Sequence, residues 1–426
     1  MTSSWASGKL REVFTIKYGK GLPEEKRISG GQFKVFGSNG PVGNHDQPLT
    51  AAETIIIGRK GSVGAVHYSP EPCWPIDTTF YIDEFPCGLP AIYWAYYLRS
   101  LRLGQHDKSS AIPGVGRGDI YDIEVPLPSI DEQRRIVAKL EKLLAKVDAC
   151  KERLEKIPAI LKRFRQSVLA AACSGRLTAD WRNGLNEWVD SKIGDVVLDL
   201  SNGFSKRFGS HGEEVTVLRL SDFSGRQRIY GKERQIRLTK EEREKYTLDK
   251  GDILVVRVNG SREIAGRFIL YESKQEAYCD HFIRIKVDCN RIQPRFLTYA
   301  MDTNSSRVLI ENSLVTSAGQ NTINQKALSS IPVSLPPLEE QHEIVRRVEA
   351  LFKIADHIEK RYQKAKTHVD KLTQSILAKA FRGELVPQDP NDEPASELLK
   401  RIQAERKNQE AEARPGRKSA KRRMRN

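Results

Sequence analysis

"VPLPSIDEQRRIVAKL" occupies residues 125–140 of this 426-residue chain, and "VSLPPLEEQHEIVRRV" occupies residues 333–348. Extended without a gap over 125–177 and 333–385, the two segments share 19 identities in 53 positions. Unrelated helices easily share composition, but they do not share ungapped identity with matching ends. We therefore predict an internal duplication, and this repeat decides the fold class.

Both copies are predicted to be long helices whose apolar residues alternate spacings of four and three, the heptad pattern of a coiled coil. The apolar positions are Ile136, Leu140, Leu143, Val147, Cys150, Leu154, Ile157, Leu161, Phe164 and Val168 in the first copy, and Ile344, Val348, Leu351, Ala355, Ile358, Tyr362, Ala365, Val369, Leu372 and Ile376 in the second. Ser129 and Glu132 are placed to form a capping box, and Gly175 and Gly383 to end the helices. A helix of about 43 residues is roughly 65 Å long. Pro158 is expected to kink the first helix.

The narrow apolar seam of each helix requires a partner, and the other copy is the nearest one. The segment between the helices leaves the end of the first and returns at the start of the second. Antiparallel pairing keeps this segment compact at one end of the pair, whereas parallel pairing would stretch it along the whole helix. We therefore predict an antiparallel coiled coil. Self-pairing in a homodimer is the alternative.

Two further segments, about 1–124 and 185–332, resemble each other. Each contains, in the same order, a Lys-apolar-x-acidic-Val phrase, a strand with a basic Gly loop, a second strand, and a Pro-started helix with aromatic residues. In the first segment these features are KLREVF from Lys9, TIIIGRKGSVG from Thr54, DTTFYID from Asp77 and LPAIYWAYYL from Leu89. In the second segment they are KIGDVV from Lys192, DILVVRVNGSREIAG from Asp252, DHFIRIKVD from Asp280 and QPRFLTYAM from Gln293. This second, looser repeat predicts two α+β globules.

The predicted fold class is therefore α+β: two α+β domains separated by two long helices that form an antiparallel coiled coil with a pseudo-two-fold internal repeat. The predicted bounds are 1–128 and 184–336 for the domains and 129–183 and 337–384 for the spacer helices. Residues 385–426 are predicted to form a C-terminal segment with a basic, disordered tail. Of the formal charge of +15, +8 lies in residues 400–426, where 11 Lys and Arg face three Glu. The body is only mildly basic, so charge alone makes nucleic acid a plausible partner.

Several classes of protein do not fit this composition. There is no apolar run near 18 residues, so no membrane span is predicted, and the start MTSSWASGKL does not resemble a signal peptide. The six cysteines form no CxxC pair, so they are expected to be reduced rather than to bind metal. We predict a cytoplasmic protein.

The loops between paired strands carry the candidate DNA-binding residues. Glycines there let backbone N–H groups approach phosphate, while Arg and Asn can read base edges bidentately. The candidates are Arg59, Lys60 and Ser62 in the first domain and Arg257, Asn259, Ser261 and Arg262 in the second; weaker candidates are Lys17, Lys20, Lys206, Arg207, Arg226 and Arg228. The alternative is a pair of ordinary hairpin turns with solvated charges.

Catalytic motifs are missing from the sequence. It contains no Walker loop, Rossmann glycine fingerprint, HExxH or GxSxG, and no Asn/Asp-Pro-Pro-aromatic motif of the kind used for base methylation. We predict no catalytic residue and no metal site in this chain. The protein is interpreted as a reader and scaffold.

Two α+β segments, each followed by a copy of the repeated helix, resemble a known family, the specificity subunits of type I restriction-modification systems. The resemblance spans nearly the whole chain. Its most specific parts are IPVSLPPLEEQHEIV from Ile331, SGRLTADWR from Ser174 and AFRGELVPQDPNDEPASELLKRI from Ala380. The basic extension beyond about Arg401 departs from the family pattern.

The resemblance implies two target recognition domains, each reading one half of a split sequence in double-stranded DNA, with the helices as a ruler. It also implies two modification subunits, which bring S-adenosylmethionine and methylate adenine, and two restriction subunits, which use ATP and Mg. No cofactor is expected in this chain. Because the two domains differ in sequence, the DNA site should be bipartite and asymmetric.

The duplicated helices offer two equivalent surfaces to two identical partners. Identities at outward helix positions and at the helix starts are therefore candidate partner contacts. They are Glu132, Gln133, Asp148 and Gln166 in the first copy and Glu340, Gln341, Asp356 and Gln374 in the second. The alternative is that these identities are left over from duplication.

Three other functions remain open from the residues alone. The chain could serve a fused cleavage-and-modification enzyme outside type I, act as a structural coiled-coil protein whose globules bind protein, or be an enzyme itself. Separate neighbouring genes for modification and translocase subunits would favour type I over a fused enzyme. Sequence-specific DNA binding with the partner would argue against a structural role, and methylation by this chain alone would indicate an enzyme.

Overall fold

The structure is a computed structural model that describes residues 5–106, 115–182, 187–206, 211–231, 233–273 and 275–413. The chain forms two compact units. Unit 1 contains the described residues up to Leu154 and those from Lys364 onward, whereas unit 2 contains Glu155–Gln363. Unit 1 is therefore built from two segments that lie far apart in the sequence.

The first segment of unit 1 is an α+β domain followed by a long helix. Its elements are β1 (Ala6–Lys9), α1 (Leu10–Val13), β2 (Lys17–Tyr18), β3 (Phe33–Gly37), β4 (Gly40–His45), β5 (Thr54–Gly58), β6 (Val66–Ser69), β7 (Trp74–Pro75), β8 (Thr79–Ile82), α2 (Ala91–Ser100), α3 (Arg117–Tyr121), β9 (Glu124–Leu127) and α4 (Ile130–Glu155). The strands form three sheets with the orders β2-β8-β5-β6, β4-β3-β7 and β1-β9. The central strand β5 is buried throughout because its β-branched residues pack on both faces.

Unit 2 contains more elements than the corresponding part of unit 1. They are α5 (Ile157–Cys173), β10 (Val189–Lys192), β11 (Val197–Asn202), β12 (Glu213–Leu218), β13 (Phe223–Ser224), β14 (Gln227–Arg228), β15 (Arg234–Leu238), α6 (Lys240–Tyr246), β16 (Ile253–Val256), β17 (Val258–Asn259), β18 (Phe268–Leu270), β19 (Ala277–Tyr278), β20 (Phe282–Val287), α7 (Pro294–Ala300), α8 (Asn304–Asn312), β21 (Val315–Ser317), β22 (Gln320–Thr322), α9 (Gln325–Ser329) and β23 (Pro332–Leu335). Two last helices, α10 (Leu338–Phe381) and α11 (Ala395–Ala413), follow.

The sheets of unit 2 repeat the three sheets of unit 1. Their orders are β11-β20-β16-β18, β15-β12-β19 and β10-β23. Even the mixed pairing is repeated, because β7 runs parallel to β3 and β19 runs parallel to β12. The looser sequence repeat is therefore confirmed as a repeat of topology. Among the described residues, the sheets β13-β14 and β17-β22-β21 occur in unit 2 alone.

Each unit contains an antiparallel helix pair, as predicted. In unit 1, α4 packs against the part of α10 from Lys364, and Lys151 Nζ lies 3.4 Å from Thr373 Oγ1. In unit 2, α5 packs against the earlier part of α10, and Arg165 Nη2 lies 2.8 Å from both Asp356 Oδ1 and Glu359 Oε2. The fold class predicted from the sequence is confirmed.

The first predicted helix is divided, whereas the second is not. A break at Lys156 separates α4 from α5, so that Pro158 lies in the first turn of α5, where its missing N–H costs least. α10 runs without interruption for 44 residues, or about 66 Å. Gly175 and Gly383 follow their helices with φ of 73° and 75°, as a C-terminal glycine requires.

Helix α11 was not predicted from the sequence, which assigned residues 385–426 to a segment with a disordered tail. Leu398 and Ile402 of α11 are fully buried in the core of unit 1. The basic tail from residue 414 lies outside the described residues. Part of the predicted tail segment is therefore a packed helix.

Candidate nucleic-acid interface

The basic loop of unit 1 begins where β5 ends. The backbone N–H of Arg59 donates to the carbonyl of Thr78 (2.9 Å), and that of Lys60 donates to the same carbonyl (3.2 Å). Gly64 turns the chain back with φ of 74° and lies so close to Gly104 that an added Cβ would meet backbone. The loop tip is therefore held firmly, while Lys60 and Ser62 remain exposed.

Two guanidinium groups lie over one exposed tyrosine beside this loop. The Tyr18 ring is 4.9 Å from the Arg117 guanidinium and 5.5 Å from that of Arg59, and Tyr18 is 50% exposed. Cation–π contacts of this kind orient arginines without neutralising their charge. We call Tyr18, Arg59 and Arg117 the Tyr18 patch. Sequence reasoning found Arg59 but missed Tyr18 and Arg117, because only folding brings Arg117 to strand β2.

The weaker candidates of unit 1 have different surroundings. Lys17 pairs with Asp83 (2.8 Å) and Glu84 (2.7 Å). Burial lowers its pKa, but the two carboxylates outweigh burial and raise the pKa above its ordinary value. Lys20 lies over the Trp74 ring, 5.9 Å from its centroid. Lys20 is exposed to solvent, whereas Lys17 is engaged in ion pairs within the domain.

The corresponding loop of unit 2 begins in the same way but is held by more contacts. The N–H of Arg257 donates to the carbonyl of His281 (2.7 Å), and its guanidinium donates to the carbonyl of Asp280 (3.1 Å). Asn259 Oδ1 accepts the N–H of Ser261 (2.8 Å). Arg262 Nη2 donates to the carbonyl of Glu311 (2.8 Å). The polar side chains of this loop thus fix its own conformation.

A polar cleft of about 420 Å³ lies next to this loop in unit 2. The basic side chains that line it are Lys206, Arg219, Arg234 and His281. The Nε of Arg234 is buried and has no hydrogen-bond partner among the described residues. Lys206 was predicted from the sequence, but here it pairs with Glu242 (3.0 Å). The other three were missed because they come from separate strand ends.

The remaining candidates of unit 2 are Arg226, Arg228 and Arg207. Arg228 pairs with Glu276 (3.0 Å). Arg226 forms an ion pair with Asp302 and donates to the carbonyl of Phe268 (3.2 Å). Arg226 is thus held by contacts within the domain, although its side chain is 40% exposed. Arg207 lies outside the described residues.

The two predicted Glu-Gln pairs lie buried at the starts of α4 and α10. Gln341 Nε2 donates to the carbonyls of Pro336 (2.9 Å) and Arg291 (3.0 Å), and its Oε1 accepts the N–H of Gln293 (2.8 Å). Gln133 Nε2 donates to the carbonyl of Pro128 (3.1 Å). Each glutamine thus ties its domain to its helix.

Glu340 and Glu132 differ although they occupy equivalent places. Burial raises the pKa of Glu340, but hydrogen bonds from Arg182, Thr178 and Trp188 outweigh burial and lower it. Burial raises the pKa of Glu132, and its neighbours do not reverse the shift. Half of the predicted capping box is present, because Ser129 Oγ accepts the N–H of Glu132 (3.0 Å). The side chain of Glu132 instead lines a cavity.

The four outward helix candidates are placed unequally. Asp148 and Gln374 are exposed on unit 1. Asp356 pairs with Arg165 within unit 2, and Gln166 Nε2 donates to the carbonyl of Asp302 (3.3 Å). Partner contact by these residues, and by the Glu-Gln pairs, stays a prediction.

Within the described part of the chain, no group of three or more His, Cys, Asp and Glu is placed to hold a metal ion. The six cysteines are free thiols. No helix among the described residues is long and apolar enough to cross a membrane.

Comparison with known proteins gives consistent matches. The family model for the type I restriction modification DNA specificity domain matches residues 2–159 and again 186–367. The StySPI specificity subunit of a type I restriction enzyme from Salmonella potsdam is 51% identical over 384 residues, covering 84% of this chain and 82% of the relative. The EcoKI specificity subunit from Escherichia coli K12 is 39% identical over 386 residues, with coverage of 84% and 82%.

Solved structures match the fold over most of the chain. One is a chain from work on complex assembly and conformational transition of the type I R-M system, with a TM-score of 0.65 over 90% of this chain and 98% of that chain. Another is the HsdS subunit from Thermoanaerobacter tengcongensis, with a TM-score of 0.56 over 90% and 97%. Both are 18% identical in sequence and therefore bear on the fold alone.

Proposed function

The chain belongs to the family of type I restriction-modification DNA specificity subunits, and from this premise we propose that each of its two α+β domains reads one half of a bipartite, asymmetric DNA site. The observation that carries the proposal is the repeated loop with different side chains. Arg59 and Arg257 start their loops with the same backbone hydrogen bond, to Thr78 and His281. One scaffold thus presents two different sets of reading residues.

In unit 1 the Tyr18 patch and Lys60 face the DNA. The tyrosine ring holds two guanidinium groups in fixed directions, which suits bidentate contact with guanine or with a phosphate. In unit 2 the reading surface is the cleft lined by Arg234 and His281, with the loop from Arg257 beside it. Lys17, Lys206, Arg219 and Arg226 act in folding rather than in reading, because each is paired with a carboxylate.

The helices set the spacing between the two half-sites and dock two modification subunits. These subunits supply S-adenosylmethionine and methylate adenine, and two restriction subunits with ATP and Mg join for cleavage. This chain is the non-catalytic recognition subunit of that complex, which acts in the cytoplasm. The duplication supports the stoichiometry, since two equivalent helix surfaces suit two copies of one partner.

The relatives favour a type I system over a fused enzyme of another type, because the StySPI and EcoKI chains are specificity subunits of type I restriction enzymes. A structural coiled-coil role does not explain why two domains of the same topology carry different basic loops.

The deciding experiment is a genome-wide map of methylated adenine in a strain that carries the system and in a strain with this gene deleted. We expect one split motif that disappears on deletion. An unchanged methylome would contradict the proposal. The double variant Arg59→Ala/Arg117→Ala should then degrade recognition in one half of the motif, with Lys17→Ala as the matched control; loss of specificity in both halves would contradict independent reading.

A further inference from the structure

The two buried glutamates at the helix starts share an equivalent tryptophan neighbour but differ in two other neighbours. Trp5 precedes the strand residue Ala6, which pairs with Leu127, and Trp188 precedes Val189, which pairs with Leu335. The tryptophans are therefore equivalent. Continued without a gap past Leu177 and Leu385, the alignment places Val386 opposite Thr178 and Pro390 opposite Arg182, although these five positions share no identity. The copy in unit 1 therefore has neither the hydroxyl nor the guanidinium at these positions.

The site in unit 2 shows what such a glutamate binds when its surroundings are complete. Arg182 donates to Glu340 Oε1 from Nε (3.1 Å) and Nη2 (2.6 Å), and its guanidinium lies 5.5 Å from the Trp188 ring centroid. Thr178 Oγ1 (2.7 Å) and Trp188 Nε1 (3.2 Å) also donate to the carboxylate. A planar guanidinium stacked on tryptophan and paired with a buried carboxylate is a combination that lysine does not reproduce.

In unit 1 the same place is a cavity of about 430 Å³. Glu132 is 3% exposed, and its Oε1 has no hydrogen-bond partner among the described residues. The Nε1 of Trp5 is also buried; its N–H faces the Glu132 carboxyl and lowers the pKa of that carboxyl, but it does not meet the geometry of a hydrogen bond. Pro390 lines the cavity where Arg182 would enter. The Glu132 carboxyl thus keeps a buried oxygen without a donor, whereas Glu340 accepts from three donors, and such a buried acceptor costs free energy unless a ligand completes it.

The charges around this cavity favour a cation. Its carboxylates are Glu132, Asp389, Asp392 and Glu393. The nearby arginines are already engaged: Arg135 pairs with Asp392 through both nitrogens (2.9 and 2.6 Å), and Arg401 pairs with Glu393 (2.7 Å). Two carboxylates therefore remain without an arginine, and Glu132 is the buried one.

We propose that this Glu132 cavity receives an arginine side chain of a modification subunit, in the position that Arg182 fills from within the chain in unit 2. The inference rests on the proposed function, which supplies the partner. It adds a consequence: two identical modification subunits dock unequally, because the second site is already occupied by the chain's own arginine.

The cavity itself can be tested on the full chain alone, with ethylguanidinium as the probe. We expect a saturable shift of the Trp5 indole N–H signal in a ¹⁵N spectrum, assigned with Trp5→Phe, and loss of the shift in Glu132→Gln. Ethylammonium should shift the signal at least tenfold less at equal concentration. Arg182→Ala is the positive control, because the same probe should restore part of its lost thermal stability.

Three results of this test would overturn the proposal. One is rescue of Arg182→Ala without any shift at Trp5. Another is an equal response to ethylammonium. The third is binding of the probe only after residues 1–4 are removed, because the start of the chain would then be the occupant.

The partner is tested with Pro390→Arg, which places a guanidinium in the cavity from within the chain. We expect a melting temperature higher by about 2–4 °C, loss of the probe response, and at least tenfold weaker binding of one of the two modification subunits. Pro390→Ala is the matched control. Unchanged binding of both subunits by Pro390→Arg would overturn the assignment to this partner. A wild-type chain that binds no modification subunit would instead contradict the proposed function.

Discussion

The helix start in unit 2 and the helix start in unit 1 carry the same two residues, yet they are built differently. Glu340 is surrounded by three donors, and Gln341 uses all its hydrogen-bonding atoms within the domain. Glu132 borders a cavity, and the Oε1 of Gln133 has no partner among the described residues. Identity between repeats therefore preserves the residue but not its energetic role.

The largest effect on stability is expected when Arg182, the partner of Glu340 in unit 2, is removed. Arg182→Ala leaves Glu340 buried without its cation, so the free energy of unfolding of unit 2 should fall by about 3 kcal/mol. Pro390→Ala, at the equivalent position, should change unit 1 by less than about 0.5 kcal/mol. Calorimetry with the two transitions resolved measures both. Equal losses would show that the two sites are energetically alike.

Replacing Gln341 in unit 2 should also destabilise the protein more than replacing Gln133 in unit 1, but by a smaller margin than for the arginine site. Gln341→Ala frees one N–H and two carbonyls, and we expect a loss of about 2 kcal/mol, against about 1 kcal/mol for Gln133→Ala. Denaturant unfolding of each variant measures the difference. A larger loss for Gln133→Ala would contradict the comparison.

The two glutamates should give opposite dependence on pH. The pKa of Glu340 is lowered, chiefly by Arg182 against burial, so its contribution is present above the unfolded value of 4.5 and is lost as pH falls through the folded pKa. The pKa of Glu132 is raised by burial, with Trp5 and Arg135 opposing and Asp392 adding to the shift. Its carboxyl therefore favours the folded state at low pH and disfavours it as pH rises from 4.5 through the raised pKa.

This opposite pH dependence is measured as the difference in the free energy of unfolding between each variant, Glu132→Gln or Glu340→Gln, and the wild type, as the pH is varied through the pKa values of the two glutamates. If the pKa of a glutamate differs by one between the folded and unfolded states, its contribution to the free energy of unfolding changes by about 1.4 kcal/mol across that pH range. The Glu132→Gln variant should gain relative stability as pH rises, while the Glu340→Gln variant should lose it. The same slope for both variants would show that the cavity does not desolvate Glu132.

The smallest expected effect concerns the divided helix. Pro158 lies in the first turn of α5, where proline is well tolerated, so Pro158→Ala should change stability by less than about 1 kcal/mol. Lys366→Ala, at the equivalent position of the unbroken α10, is the control. Circular dichroism and thermal unfolding measure both. A loss of several kcal/mol in Pro158→Ala would show that the break depends on the proline ring itself.

Much of the fold could be predicted from the sequence because its signals are local or repeated. The 53-residue repeat and its heptads predicted the helices, and Gly175 and Gly383 marked their ends correctly. The looser repeat predicted two domains of one topology. α11 could not be predicted, because its helical residues also have the composition of a solvated tail. Only the packing of Leu398 and Ile402 against unit 1 distinguishes the two.

The candidate site was predicted less completely, for a physical reason. Loop arginines such as Arg59 and Arg257 follow a strand directly, so their position is encoded locally. Whether an arginine is available to DNA depends on carboxylates far away in sequence, as with Arg226 and Asp302. The equal spacing of Trp5 and Trp188 before the Lys phrases was a usable signal for the helix-start sites. The sequence alone did not show that Arg182 completes one of them.

Unit 1 is built from two segments that lie on either side of unit 2 in the sequence, so its folding can be completed only after unit 2 has been translated. Its core includes Leu10 and Ile55 from the beginning of the chain, together with Ala380 and Ile402 from near its end. All of unit 2 leaves the ribosome between these segments. At about 5–20 residues per second, the domain that is translated first waits on the order of tens of seconds for its last core residues. During that interval its aromatic helix α2 lacks the Phe381 ring that later packs on Tyr93 and Tyr97, so a nascent chain exposes this surface to chaperones until Phe381 has been translated.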